Sequence, residues 1–136
     1  MCDRVELIEN SWKWQASFVI NIFTQSLALW TSLPVTWYII SAQLQYADAI
    51  RTVTWIVSLF AFGDGLGLYL GQKLYGSLSA RQTLNLAIIF SIIASLIYAL
   101  AGSTAIYEES SSSIFKQLCT ARVIQGICHG LTYLTQ

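Results

Sequence analysis

Residues 84–105 read LNLAIIFSIIASLIYALAGSTA, a stretch without a single charged side chain. The hydrocarbon core of a bilayer needs about 20 mostly apolar helical residues, and this run supplies them. Working outward, three further segments have similar length. Residues 53–72 are mostly apolar and carry no charge apart from Asp64, and residues 17–44 lie in a charge-free interval between Lys13 and Asp48. Residues 115–136 are long enough but carry Lys116 at the edge and Arg122, Gln125 and His129 within. Taken alone, that last segment would be a poor candidate for a membrane helix. The four together predict an all-α, polytopic transmembrane helix bundle.

Composition agrees. Charged residues make up 10% of the chain and hydrophobic ones 55%, whereas a soluble domain is usually about a quarter charged. Seven basic residues balance seven acidic ones, with no cluster of Lys and Arg of the kind phosphate binding requires, so nucleic acid is excluded as a partner. Cys2, Cys119 and Cys128 have no metal-ligand spacing. No nucleophile is placed with a base, so no catalytic residue, metal or cofactor is expected. The lipid bilayer is the first partner.

Residues 1–16 do not form a secretory leader, because Asp3, Arg4, Glu6 and Glu9 are interspersed and the apolar block that follows is too long. They read as a cytoplasmic segment, either a tail or a short surface helix on Val5, Ile8 and Trp12. With the amino terminus inside, the inner segments hold Arg4, Lys13, Lys73 and Arg81 and the outer loops Arg51 and Lys116. The positive-inside bias favours that orientation. Residues 108–113, two glutamates and a serine run, read as a solvated connector.

Polarity differs among the spans. In the first, Asn21, Gln25, Ser32 and Thr36 fall near one helical face, and Pro34 stands as a turn-breaking residue. In the fourth, Arg122, Gln125, His129, Thr132 and Gln136 lie opposite Val123, Ile127, Leu131 and Leu134. Spans one and four are therefore expected to share a polar interior, with span three outside against lipid. Gly63, Gly67 and Gly71 recur every fourth residue in span two, which places a close helix contact there. The same glycines lack the strand and soluble context of a dinucleotide loop. Asp64 and Arg122 are costly inside a membrane unless paired, protonated or hydrated. Each has two readings: Asp64 as an ion-coupling group or a structural contact, Arg122 as a ligand for a solute anion or a brace, with Asp64 a candidate partner. His129 is either a titrating group or a packed one.

The glycine-rich second span, the loop Leu74-Tyr-Gly-Ser-Leu-Ser-Ala-Arg81 and the fourth-span run Ala121-Arg-Val-Ile-Gln-Gly126 with Gly130 resemble the amino-terminal part of a major facilitator superfamily transporter. That family's loop pattern, Gly-x-x-x-Asp-Arg-x-Gly-Arg-Arg, is matched by Gly76 and Arg81. Ala80, Thr83 and Leu84 depart from it, so the gating latch formed there is only partly carried over. The fourth-span pattern Arg-x-x-Gln-Gly is matched by Arg122, Gln125 and Gly126. The runs 75–81 and 95–100, with Ala121-Arg122, look most like the lysosomal ceroid-lipofuscinosis-associated branch, which implies lysosomal or endosomal membranes.

The resemblance implies a partial major-facilitator-like fold, with 17–136 an incomplete amino-terminal half built on helices at about 17–44, 53–72, 84–105 and 115–136. It implies secondary transport of a small solute or ion, by a chain that is a truncated or partial form and is not competent without the missing carboxyl-terminal helices or another membrane protein. Arg122, Asp64, Gln125, His129, Asn21 and Gln25 are the cavity and coupling candidates; Gly63, Gly67, Gly71, Gly76, Arg81, Gly126 and Gly130 are the packing and loop candidates. Two rival classes are a non-transporting scaffold or regulatory module and a four-helix oligomeric exporter, although the first span lacks the acid such exporters carry. A tetraspanin would need a cysteine-rich loop, and none occurs between spans three and four.

Overall fold

The computed structural model describes residues 2–74, 77–107 and 111–133. Side chains before Trp12, and several others in the first helix including Asn21 and Gln25, lie outside the described residues, as does Gly76. Four α-helices follow one another: α1 Cys2–Ser41, α2 Tyr46–Leu74, α3 Ala80–Tyr107 and α4 Ser111–Tyr133. The protein is an all-helical bundle, and α2 and α3 are each long and apolar enough to cross a membrane.

The helices overrun the apolar segments at most ends because polar flanks continue the backbone hydrogen bonding. The first runs without a break from Cys2 to Ser41 and passes through Pro34 without ending. A proline removes one amide donor, a loss that neighbouring hydroxyls and helices offset in membrane proteins. The carbonyl left without its amide partner is that of Trp30, four residues back, while Thr31 and Thr36 on either side of the proline donate to the carbonyls of Leu27 at 2.8 Å and Ser32 at 2.7 Å. The start of α3 is set by a capping box. The Ser79 amide donates to Gln82 Oε1 at 2.9 Å, and the Gln82 amide donates back to Ser79 Oγ at 3.3 Å, satisfying two amides that a helix start leaves open.

Packing corrects the expected order of the helices. The central element is α4, which runs along both α2 and α3, whereas α1 touches the others lightly. The buried residues of α1 among those described are Ser32, Thr36, Ile39 and Ile40, all in its carboxyl-terminal half. The third helix is therefore not peripheral. Its Leu84, Ala87, Ala94 and Ala101 form a buried stripe, and alanines at heptad spacing let α3 approach α4 closely. A reading based on charge treats alanine as merely apolar and misses that stripe. The opposite face, with Ile89, Ile92, Leu96 and Leu100, remains exposed.

The main apolar cluster sits at the end of the bundle where α1 turns into α2 and α3 precedes α4. It comprises Ile39, Ile40, Ala49, Ile56, Ala101, Ile114 and Leu118. Further along, side chains give way to backbone contact between α2 and α4. A Cβ on Gly63 would overlap the Val123 carbonyl, and one on Gly67 would overlap that of Ile127. From the other side, a Cβ on Gly126 would stand 2.7 Å from the Asp64 amide nitrogen and 2.8 Å from the Gly63 carbonyl carbon. One on Gly130 would stand 2.6 Å from the Leu68 amide nitrogen. The two helices run in the same direction and are in contact main chain to main chain, a separation that only hydrogen side chains permit. Gly71 is also buried on α2, whereas Gly65 faces open space.

Candidate functional site

The buried face of α4 carries Arg122, which is fully covered, at 0% exposure. Its guanidinium lies over the Tyr98 ring of α3, 5.5 Å from the centroid, a cation–π contact. One terminal nitrogen, Nη1, donates to Gln125 Oε1 one turn along the same helix at 3.2 Å. The other two nitrogens, Nε and Nη2, are buried with no hydrogen-bond partner among the described residues. Unpartnered buried donors cost more than an ordinary hydrogen bond contributes, about 1–3 kcal/mol each and more when charged. Structural economy would not leave them open.

Tyr98 is held in turn by α1. The Thr36 hydroxyl donates to the Ser32 carbonyl, so its oxygen accepts the Tyr98 hydroxyl proton across 3.0 Å. A chain of contacts therefore runs from α1 through α3 to the arginine on α4. Two hollows flank it. A cleft of about 300 Å³ opens between α1, α3 and α4, with Thr31, Ser32, Ser95, Tyr98 and Gln125 among its walls. A crevice of about 180 Å³ lies between α1, α2 and α4, lined by Trp30, Leu33, Val57, Phe60 and Arg122.

Asp64 is not the partner of Arg122. Its Oδ1 is 3.0 Å from His129 Nδ1, bridging α2 to α4, with the two side chains about a third exposed. The imidazole is flanked by Phe60 and Tyr133, at ring-centroid distances of 5.5 and 5.0 Å. The reason is register. The Asp64 backbone packs against Gly126 and Gly130, level with His129, and Arg122 stands seven residues away, about 10 Å along the axis. The remaining described carboxylate, Asp48, is exposed at the start of α2. Among the described residues, no acid neutralises Arg122.

Partial exposure sets the expected strength of the Asp64–His129 bridge. In a double-mutant cycle with Asp64→Asn and His129→Leu, we expect a coupling of about 1 kcal/mol in the unfolding free energy. The His129→Leu single variant should be the least stable, since it strands the carboxylate. Additive single effects would show that the contact contributes nothing.

The sequence candidates thus divide. Arg122 and Gln125 meet at one site, and Asp64 and His129 at another two turns away. The side chains of Asn21 and Gln25, and the whole of Gly76, lie outside the described residues, while Arg81 is exposed in the first turn of α3. Reading by sequence missed Tyr98 and Trp30. A lone tyrosine hydroxyl in a charge-free span was the available signal, because a buried phenol seeks a partner. Trp30 carried no such signal.

The bundle thus sets a buried, incompletely satisfied cation beside two hollows, with two helices long and apolar enough to cross a membrane. The sequence comparison is more particular. A profile of the family described as Sugar (and other) transporter matches residues 17–136, and the chain belongs to that family, of the major facilitator type. No curated protein and no solved structure matches the chain.

Proposed function

We propose that these four helices are the solute-facing part of a secondary transporter, and that Arg122 is the group on which the solute is held. The observation that carries this reading is the buried guanidinium with two unpartnered nitrogens. Bracing alone would favour an arginine whose donors were all occupied. The two-turn separation from the Asp64–His129 bridge leaves the cation free for an outside partner.

Transporters of this architecture hold solute near the bilayer midplane between two repeats that rock against one another. Alternating access therefore requires helices in addition to α1–α4, from the same polypeptide or a second one. Residues 17–136 form part of the transport domain, and residues 1–16 lie outside the membrane on the cytoplasmic side. A 40-residue α1 is about 60 Å long, twice the hydrocarbon thickness, which supports an extramembrane amino-terminal portion. The loop resemblance supports placement in lysosomal or endosomal membranes.

The test is uptake into proteoliposomes, with the 136-residue chain alone and with a complementary set of transporter helices co-reconstituted. We expect solute flux only in the second case. Robust uptake by the chain alone would sink the requirement for further helices, and stable complexes with unrelated membrane proteins but no flux in either case would point to a scaffold.

A further inference from the structure

The two unpartnered nitrogens of Arg122 are not an arbitrary pair. Nε and Nη2 form one edge of the guanidinium plane, and their N–H bonds run parallel, at the spacing of two oxygens on one carbon or phosphorus atom. Nη1 is already committed to Gln125, so this edge is what the arginine has left to offer. A spherical ion uses such a fork poorly. A neutral polyol could accept its hydrogen bonds but would leave the charge uncompensated, and a buried charge with no counter-ion is heavily penalised.

The hollow that Arg122 lines selects further. Its other walls, Trp30, Leu33, Val57 and Phe60, are aromatic or aliphatic. At about 180 Å³ it is smaller than the usual range of about 300–1,000 Å³ for drug-sized ligands. Inorganic phosphate would satisfy the fork but would set its remaining charged oxygens against hydrocarbon. Trp30 is 72% exposed and the fork nitrogens are covered, so a bound carboxylate requires the crevice that Arg122 lines to open onto them.

We infer that the Nε–Nη2 edge of Arg122 and the apolar crevice beside it bind a small organic monocarboxylate whose body is aromatic or aliphatic. The carboxylate takes the fork, and the body packs between Leu33, Val57 and Phe60 under Trp30. Calling the bound acid the cargo rests on the transport reading above; its binding does not.

The experiment uses the full chain in nanodiscs of phosphatidylcholine, with benzoate as the probe and calorimetric titration as the readout. Benzyl alcohol, inorganic phosphate and glucose serve as comparisons. Benzoate should bind saturably, and each comparison at least about tenfold more weakly. Arg122→Lys, which keeps the charge but lacks the side-on fork, should weaken benzoate binding by at least about tenfold. Leu33→Trp, which fills the crevice and leaves the arginine untouched, should do the same. Equal binding of benzoate and benzyl alcohol would reduce the effect to hydrophobic partition and overturn the assignment. So would phosphate binding as tightly as benzoate, wild-type affinity in the Leu33→Trp variant, or no binding at all. Adding phosphatidylserine to the discs should leave the isotherm unchanged; loss of benzoate binding there would assign the fork to a lipid headgroup and overturn a soluble acid as the ligand. Benzoate binding without flux in the co-reconstituted assembly counts against transport alone, and flux of another solute without benzoate binding counts against the monocarboxylate alone.

Discussion

Gly126→Leu separates α2 from α4 and costs the fold about 3 kcal/mol or more, measured as a loss of unfolding free energy in detergent micelles. The size follows from what the side chain would meet. A Cβ at this position already stands 2.7 Å from the Asp64 amide nitrogen and overlaps the Phe60 carbonyl, and backbone atoms cannot rotate aside as a flexible side chain could. Even Gly126→Ala requires the helices to part, for an expected loss of about 1–3 kcal/mol. The control is internal. Gly65 lies on the same helix as the seam and Gly102 on α3, and a Cβ on either meets nothing within 4 Å. Alanine there should be neutral or stabilising by up to about 1 kcal/mol through the lower entropy of the unfolded chain. If Gly126→Ala and Gly65→Ala were equally harmless, the close seam would be wrong.

Arg122→Met should raise stability and abolish transport, a pairing of opposite signs that few residues would give. Removing the arginine forfeits one hydrogen bond to Gln125 and the contact with Tyr98, together about 1–3 kcal/mol. It also relieves the burial of a cation that no described acid neutralises, and the effective penalty for such a charge is several kcal/mol. The desolvation effect is the larger, and methionine refills most of the space with flexible apolar atoms. We expect a gain of about 1–3 kcal/mol in the resting protein. Solute flux in the co-reconstituted assembly should fall at least about 100-fold, because a site that holds its ligand through a buried charged group loses about 2–5 kcal/mol when that group is truncated. A variant that is destabilised yet still transports would return Arg122 to the role of a brace.

That four helices exist and that 84–105 is apolar throughout were legible, because a bilayer demands internally hydrogen-bonded helices of known length and the residues comply. Glycines at every fourth position in α2 marked a close contact by their spacing. Their partner was less legible. The contact is with the backbone at Val123 and Ile127 and with Gly126 and Gly130, and a main-chain surface has no side-chain signature of its own. The role of α3 was misread for a related reason, since Ala87, Ala94 and Ala101 look like any apolar residues until their stripe is seen to press on α4.

The candidate site divides in the same way. The sequence by itself determined that Arg122, Gln125 and His129 share a helix and that Asp64 lies within an apolar span, because helical periodicity fixes neighbours along one chain segment. Only the tertiary structure decided which of them meet. The register of α2 against α4, set by glycine packing, brings Asp64 to His129 and leaves Arg122 about 10 Å away, facing Tyr98 with one buried edge of its guanidinium unpartnered among the described residues. Local propensity and hydrophobic pattern act along the chain, whereas the offset between two helices is chosen by the shape of both surfaces, and that offset determined which charge is paired and which is left for a ligand.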